Sequence, residues 1–332
     1  MPGVTVGPEV VDDAVEVLRR GGLVAFPTET VYGLGADAMN RDALHRLYAV
    51  KGRPARHPVI VHVAAGAPLD ELLAPWAAAI PPAARSLAES CWPGPLTLVL
   101  RRAVGVLDEV TGGRDTVGLR LPDQPLAQDL LTRFGGGVAA PSANRFGRVS
   151  PTTAADVRAD LGPDVDRILD GGRCQVGVES TVVDCSDGRP VVLRLGGVSR
   201  ERLEAIVAGP VPVCDDGTRP APGTLASHYA PRARVVLVAA PEVSARASDL
   251  VAAGARVGLL AAVPPADLPP GVTVLAAPAD VDELARDLYR LLRDADRQRV
   301  DVLLAVPPEP VGIGAAVADR LARAARVAEP RP

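Results

Sequence analysis

The sequence is poor in several residue types that would point to particular classes of protein. Only 3% of its 332 residues are aromatic, and its four cysteines show no Cys-x-x-Cys spacing. With four histidines beside them, they predict neither a zinc site nor a disulfide framework, and four reduced cysteines fit a cytoplasmic protein. A net charge of −4 excludes a globally basic nucleic-acid-binding protein, although a local basic groove stays open.

Long apolar runs are also missing. The longest candidate, around residues 72–80, is interrupted by Pro75 and falls short of the ~20 apolar residues of a membrane span. Near the start of the chain, Glu9, Asp12 and Asp13 stand where a signal peptide needs basic and then apolar residues. We therefore expect a cytoplasmic protein that makes no use of a membrane.

Lysine is almost absent. Arginine supplies 35 of the 36 basic residues, and Lys51 is the single lysine. The abundance of Ala, Arg, Pro and Gly indicates a GC-rich coding bias, and against that bias a retained lysine is informative. Because a compact ammonium and a planar guanidinium approach a phosphate differently, we treat Lys51 as a candidate site residue.

The apolar pattern that is present predicts an α/β protein of two domains, which agrees with ~150 residues per domain. In the first part, strands at residues 23–26, 59–63, 96–100 and 117–121 alternate with helices at 8–20, 40–50 and 126–134. Residues 27–35, dense in hydroxyls and glycine, are expected to form a turn. Prolines and glycines without periodicity predict a linker at 208–232, so we divide the chain into domains 1–207 and 233–332, the second a small βαβ unit.

One candidate group consists of short polar or basic side chains at the ends of predicted elements. Lys51 and Arg53 follow a predicted helix, where an exposed ammonium and a guanidinium can straddle a polyphosphate, although a solvated helix end is the ordinary alternative. Ser142 and Asn144 follow a short apolar strand, where ligands bind in open α/β sheets. An Asx turn that closes the loop is the alternative for these two residues.

A second group lies inside predicted strands. Arg120 and Arg194 interrupt apolar runs and therefore need an anionic partner, either a ligand carboxylate or phosphate or an internal Asp or Glu. His62 fits a core histidine as well as a ligand contact, and Ser180 fits a ligand donor or the start of a strand. The sequence contains no P-loop, no Gly-x-Gly-x-x-Gly after the first strand and no Gly-x-Ser-x-Gly.

Taken in order, five motifs resemble those of the YrdC-type L-threonylcarbamoyladenylate synthases. A further run, Ala221–Pro231, resembles the tether of the long, two-domain form of that family, so the resemblance spans nearly the whole chain. It implies a twisted mixed sheet with flanking helices around a concave basic groove, followed by a smaller Rossmann-like α/β domain. The five motifs are Pro27–Gly35, Lys51–Pro54, Pro141–Asn144, Gly177–Asp184 and Leu193–Gly196.

The resemblance also implies an activity. Members of this family, which are nucleotidyltransferases, form threonylcarbamoyl-AMP and pyrophosphate from L-threonine, bicarbonate or CO2, and ATP. The product is used by a downstream machinery that modifies adenosine 37 of tRNA, while direct contact of this chain with tRNA stays open. Mg²⁺ is expected to enter with ATP, without protein side chains as ligands, and no organic cofactor is implied.

The family's pattern also implies a role for individual residues of this sequence. Arg120 is expected to grip the threonine carboxylate as a two-pronged fork, and Tyr229 is expected to belong to a lid formed by the tether. The residues implied around the phosphates are Lys51, Arg53, Ser142 and Asn144; those implied to contact ATP are Arg53, His57, Thr116, Ser142, Ser150, Arg194 and Tyr229; those implied to contact L-threonine are Thr30, His62, Arg120, Ala140 and Ser180.

Two other functions remain compatible with the sequence. A noncatalytic module for double-stranded RNA or tRNA could use the same arginines, and its RNA affinity would fall steeply with salt. A related enzyme with another carbamoyl acceptor could share the scaffold. Only the synthase should release pyrophosphate in a threonine-dependent way without RNA.

Overall fold

A computed structural model describes residues 7–214 and 229–326. The described chain divides into two compact units: unit 1 comprises residues 7–146 and 150–214, and unit 2 comprises residues 147–149 and 229–326. The linker predicted at 208–232 lies partly outside the described residues. Residues up to Cys214 belong to unit 1, where Val192 N donates to Pro212 O and Cys214 N donates to Val192 O.

Unit 1 is built on a nine-stranded mixed sheet whose strand order is β7-β1-β2-β6-β3-β5-β4-β8-β9. Its strands are β1 Val24–Phe26, β2 Gly33–Asp37, β3 Ile60–His62, β4 Leu96–Arg101, β5 Thr116–Arg120, β6 Val138–Ala139, β7 Arg167–Ile168, β8 Thr181–Asp184 and β9 Val191–Arg194. Its helices are α1 Pro8–Arg19, α2 Arg41–Lys51, α3 Leu69–Leu73, α4 Pro82–Cys91, α5 Asp108–Thr111, α6 Pro125–Phe134, α7 Ala154–Leu161 and α8 Arg200–Val207. The twisted mixed sheet expected from the resemblance is thus confirmed.

Local signals explain most of these boundaries. The Asn40 side chain accepts a hydrogen bond from Ala43 N at the start of α2, and Ser199 accepts one from Arg202 N at the start of α8. Apolar residues at helical spacing bury one face of α1 beside α6 and β1, in a core cluster that includes Leu18, Phe26 and Leu130. Of these elements, the apolar pattern predicted α1, α2, α6 and β1.

The expectation of a turn over residues 27–35 is wrong at its end, because Gly33–Asp37 forms β2. This strand pairs with β1 on one side and β6 on the other, so its backbone groups are satisfied within the sheet. A side chain at Gly35 would come within 2.7 Å of Val138 and 2.9 Å of Phe26. Glycine therefore allows this strand to pack closely against its neighbours. Because glycine is also common in turns, the sequence pattern indicated a turn instead.

Unit 2 contains a four-stranded sheet in which every pairing is parallel, with strand order β10-β13-β11-β12. Val257, Leu259, Val302 and Leu304 contribute to its own buried core. Its strands are β10 Arg234–Leu237, β11 Val257–Leu260, β12 Thr273–Ala276 and β13 Val302–Ala305, and its helices are α9 Val243–Ala252, α10 Val281–Arg297 and α11 Ile313–Ala325. The expected small α/β domain is confirmed.

In the two described stretches, 7–214 and 229–326, we find no helix that combines the length and the apolar character needed to span a membrane.

Candidate active site

Two adjacent parallel strands, β3 and β5, arrange the candidate residues of unit 1 from one end to the other. His62 and Arg120 form a paired position at the ends of these strands, and Ile60 pairs with Gly118. Thr116 is the first residue of β5, and Pro58 lies two residues before the start of β3. Arg53 Nη2 donates to Pro58 O at 2.9 Å. The ATP candidates Arg53 and Thr116 therefore lie toward one end of this strand pair and the threonine candidates His62 and Arg120 toward the other.

Lys51 is the last residue of α2, and its side chain is buried rather than exposed as expected. Its Nζ donates to the backbone oxygens of Ser142 and Asn144, the second at 2.6 Å. Helix α2 ends at Lys51, and the chain reverses direction at Gly52, which has a left-handed conformation. Burial lowers the pKa of the ammonium well below its usual value, and the nearby cations Arg53 and Arg145 lower it further.

The loop that receives Lys51 is Pro141–Asn144. Asn144 is buried and its Nδ2 donates to Arg145 O at 3.0 Å, while Ser142 is half-buried and bridges to Gly33 of β2. The sequence-predicted set Lys51, Ser142 and Asn144 is thus brought together, although the lysine contacts the loop backbone rather than its side chains. The amide of Ala140 donates to Ile60 O, which leaves the carbonyl oxygen of Ala140 as the group able to meet a ligand.

Arg53 and His57 flank the ring of Phe146. The Arg53 guanidinium carbon lies 5.7 Å from the ring centroid, and the His57 ring meets the same ring edge-on at 5.6 Å. Burial lowers the pKa of His57, and Arg53 and Arg114 lower it further. A neutral imidazole and an aromatic ring beside a guanidinium form an apolar and cationic surface that suits a nucleotide base and its phosphates.

Arg120 has an internal partner. Its Nη2 donates to Glu29 Oε1 at 2.6 Å and to Thr30 Oγ1 at 2.9 Å, and its Nε donates weakly to Gly94 O at 3.4 Å. Glu29 Oε2 also accepts from Asp123 N at 3.1 Å. Nη1 has no hydrogen-bond partner among residues 7–214 and 229–326. Arg120 Nη2 is thus already bonded within the protein, and the expected two-pronged grip on a ligand carboxylate stays a prediction.

The direction of the Thr30 hydroxyl follows from its neighbours. The single hydroxyl hydrogen of Thr28 goes to Val31 O at 2.6 Å, so in the 2.8 Å contact between Thr28 and Thr30 the donor is Thr30. Thr30 Oγ1 also accepts from Arg120. With its hydrogen used, Thr30 offers a ligand one lone pair, and it can accept a hydrogen bond from an amine or hydroxyl.

His62 is buried beside these groups. Its ring packs edge-on against Phe26 at 5.9 Å, and Nδ1 lies 3.3 Å from Ile60 O. Burial lowers the pKa of His62 to about 3, with a further contribution from the Arg120 charge. The imidazole is therefore neutral at physiological pH, and it can offer a ligand a neutral ring nitrogen.

Ser180 and Arg194 form a second polar group. Arg194 Nη2 donates to Ser180 O at 2.7 Å and to Ser180 Oγ at 3.0 Å, and Ser180 Oγ lies 2.8 Å from Thr97 Oγ1. Glu179, the residue just before Ser180, accepts a hydrogen bond at Oε1 from Ser150 Oγ at 2.7 Å. Arg194 thus fixes the backbone and side chain of Ser180.

Tyr229 belongs to unit 2, where it is buried. Its ring stacks on Tyr289 with centroids 5.6 Å apart, and the Arg320 guanidinium carbon lies 5.0 Å from the Tyr229 centroid. Residues 215–228, which include most of the expected tether, lie outside the described residues. The lid role of Tyr229 stays a prediction.

Sequence reasoning passed over two buried carboxylates. Glu29 and Glu179 both lie within motifs that drew attention for their hydroxyls, and both turn out to contact candidate residues, Arg120 and Ser150. A signal was available: a carboxylate in an apolar segment and an arginine in an apolar strand each need a partner. Which carboxylate pairs with which arginine depends on the sheet and could not be read from spacing.

Comparison with known families covers both units. A family model described as "Telomere recombination" matches residues 16–196, and one described as "Threonylcarbamoyl-AMP synthase, C-terminal domain" matches residues 198–326. Two threonylcarbamoyl-AMP synthases, from Pyrococcus abyssi and Bacillus subtilis, are each 41% identical to the chain. In both cases the similarity covers 94% of this chain and 92% of the relative.

A solved structure agrees with these matches. The crystal structure of P. abyssi Sua5 complexed with L-threonine superimposes with a TM-score of 0.89 at 39% identity, covering 97% of this chain and 95% of that one. A threonylcarbamoyl-AMP synthase from Schizosaccharomyces pombe is 35% identical over 95% of this chain and 88% of its own length. The similarity therefore extends through both units.

Proposed function

Because the chain belongs to the threonylcarbamoyl-AMP synthase family in its long, two-domain form, we propose that the buried polar pocket of unit 1 forms threonylcarbamoyl-AMP from L-threonine, bicarbonate or CO2, and ATP. The chain is thus an enzyme that transfers a nucleotidyl group, and its product serves the modification of tRNA adenosine 37. One observation carries the assignment of the pocket: a lone lysine is buried against the Pro141–Asn144 loop, with two of its three N–H donors held by loop carbonyls.

The proposed chemistry needs positioning more than a protein nucleophile. The threonine amine adds to CO2 and loses a proton, which gives a carbamate. A carbamate oxygen then attacks the α-phosphorus of ATP while the bond to the β-phosphate oxygen breaks and pyrophosphate leaves. The pocket must align these groups and offset the charge that develops on the phosphates, which cations and hydroxyl donors can do.

The charges near each candidate fit this division of roles. Lys51 has a third N–H for a phosphate oxygen, and Arg53 lies beside it at the ATP end of β3 and β5. At the other end, Arg120 Nη1 can meet the threonine carboxylate while Thr30 accepts from its amine or hydroxyl. We propose that ATP and threonine occupy these two ends, so that the amine-derived carbamate lies near the α-phosphate.

Magnesium is proposed to arrive bound to the triphosphate. Across the described stretches 7–214 and 229–326, no three His, Cys, Asp or Glu side chains are grouped as a metal site would require. The ion would offset phosphate charge when bound, while Lys51 and Arg53 orient the phosphate oxygens.

The assignment is tested with Lys51→Met, which keeps an unbranched side chain one atom shorter and removes the charge and the N–H donors. With ATP, bicarbonate, Mg²⁺ and L-threonine and no RNA, wild-type protein should release pyrophosphate, and the variant should lose about 100-fold or more in turnover because one preorganised donor is removed. Arg46→Met is the matched control: it removes a cation on the same helix, paired with Asp166 and 41% exposed, and should leave turnover unchanged.

Two outcomes would contradict the proposal. Turnover of Lys51→Met within a few-fold of wild type would remove the lysine from the reaction. No threonine-dependent pyrophosphate release by the wild type, together with tRNA affinity that falls steeply with salt, would favour the RNA-binding alternative.

A further inference from the structure

Thr97 is a buried hydroxyl that lies in the same row of the sheet as the candidate residues. His62 pairs with Arg120, Thr97 pairs with Val182, and Val182 pairs with Arg194. The register that pairs Leu98 with Leu119 puts Thr97 opposite Arg120 at the next position. Because directly paired residues of a sheet point to the same face, the Thr97 side chain shares a face with Arg120, His62 and Arg194.

The hydrogen bonds of Thr97 can be counted completely. Its side chain has no exposed surface, and within residues 7–214 and 229–326 its hydroxyl has one hydrogen-bond partner, Ser180 Oγ at 2.8 Å. Ser180 Oγ also accepts from Arg194 Nη2 at 3.0 Å. Each hydroxyl has a single hydrogen to donate, so one of the two residues is the donor in this contact.

Both residues are buried, Ser180 with 1% of its surface exposed and Thr97 with none, so whichever one donates, one hydroxyl hydrogen finds no acceptor in the described residues. Because the proposed ligand contact is Ser180, a donating Ser180 would leave the Thr97 hydrogen enclosed even when L-threonine is bound, and an unsatisfied buried donor is costly. If Thr97 donates, its hydrogen is satisfied and both lone pairs of Ser180 are filled, one by Thr97 and one by Arg194. The hydrogen of Ser180 is then left for another acceptor.

We propose that Thr97 is a positioning residue that donates to Ser180 and thereby presents the Ser180 hydroxyl to L-threonine as a hydrogen-bond donor. This rests on the proposed function of the pocket. Thr30, whose hydrogen is used by Thr28, acts as the acceptor. Ser180 as a fixed donor and Thr30 as a fixed acceptor match an amino acid that carries a carboxylate, an amine and a hydroxyl. If either hydroxyl pointed the other way, buried polar groups would be left unpaired.

The test replaces the hydroxyl without changing the shape of the side chain. Thr97→Val should raise the KM for L-threonine about 3- to 10-fold, the value of one neutral hydrogen bond, while kcat and the KM for ATP stay within about twofold. Thr97→Ser, which keeps the hydroxyl, should restore the wild-type KM. Thr111→Val is the matched control, because Thr111 is equally buried but lies in α5 and accepts from Arg102; its KM for threonine should not change.

A double-mutant cycle separates positioning from mere packing. Ser180→Ala should raise the KM for threonine, and adding Thr97→Val to it should raise the KM no further, since Thr97 acts through Ser180. Additive effects, an unchanged KM in Thr97→Val, or failure of Thr97→Ser to restore it would each overturn the proposal. Should Thr97→Val not fold, Thr97→Ala takes its place under the same criteria.

Failure of the proposed function would be visible separately. Calorimetric titration of L-threonine into wild type and the Thr97 variants measures the same hydrogen bond without turnover. Wild-type protein that binds threonine but releases no pyrophosphate contradicts the proposed reaction alone. Equal threonine affinity of wild type and Thr97→Val overturns the role of Thr97 whether or not pyrophosphate is formed.

Discussion

At the residue scale, the pocket of unit 1 holds buried cations whose donors are only partly used by the protein. Lys51 gives two of its three N–H groups to loop carbonyls, and Arg120 keeps Nη1 unbonded within the described residues. Burying a cation is costly unless it is paired or hydrogen-bonded. The hydrogen bonds that Lys51 and Arg120 already make offset the cost of burying them, and each keeps at least one N–H group that can bind an anion.

The buried neutral His62 leads to a prediction for stability against pH. Its pKa is about 3 in the folded protein and ~6.5 in the unfolded chain, so the unfolded state takes up the proton first. The stabilisation is complete above pH ~6.5 and is lost as the pH falls toward 3. Between pH ~6.5 and ~5 we expect the unfolding free energy of wild type to fall by roughly 1–2 kcal/mol more than that of His62→Gln.

Urea denaturation at stepped pH measures this difference. His45→Gln is the control for replacing an imidazole at an exposed position, because His45 is 58% exposed. Equal slopes for wild type and His62→Gln would show that the imidazole titrates similarly in both states.

At the element scale, the end of α2 positions Lys51 and Arg53, the two cations proposed to contact the phosphates. Gly52 terminates the helix with a φ of +62°, a conformation that other residues adopt with strain, and Arg53 N then donates to Tyr48 O. This reversal sends Lys51 into the Pro141–Asn144 loop and Arg53 toward Pro58. The helix cap is therefore part of the geometry of the site.

Gly52→Ala should reduce both stability and turnover. A Cβ at Gly52 meets nothing within 4 Å. The loss of stability therefore comes only from placing alanine in a left-handed backbone conformation, which costs about 1 kcal/mol. A small shift of Lys51 and Arg53 should lower kcat/KM about tenfold. Gly188→Ala, at a φ of +80° with equally open space, should lose the same stability and keep wild-type kcat/KM. Equal kinetics in the two variants would contradict a positioning role for the cap.

At the scale of the whole molecule, each unit has a core of its own. Leu34 is fully buried in unit 1, and Leu259 is fully buried in unit 2. Separate cores allow a unit to unfold as a cooperative body. The family models divide the chain between residues 196 and 198, ahead of α8, whereas α8 and the residues up to Cys214 belong to unit 1 of the structure.

A large-to-small substitution in one core tests this independence. Leu259→Ala should cost about 2–5 kcal/mol and lower one thermal transition in differential scanning calorimetry, and Leu34→Ala should lower the other. A single transition that moves as a whole in both variants would show that the two cores unfold together.

Much of the fold could be predicted because its signals are local. The apolar stripe of α1, the Asn40 cap of α2 and the Ser199 cap of α8 each depend on neighbours a few residues away. The strand β2 was missed because its two glycines allow close packing between strands. The residue that packs against Gly35, Val138, lies more than a hundred residues further along the chain.

The sequence by itself determined the family and the two α/β parts and singled out the candidate side chains, because five short motifs in order, together with a single retained lysine, identify residue types independently of their geometry. Only the tertiary structure decided where those side chains lie and what they contact. It buried Lys51 against backbone carbonyls, paired Arg120 with Glu29, and set Thr97 beside Ser180. The physical reason is that the direction of a hydrogen bond and the partner of a buried charge depend on which strands lie next to each other, which spacing along the chain does not specify.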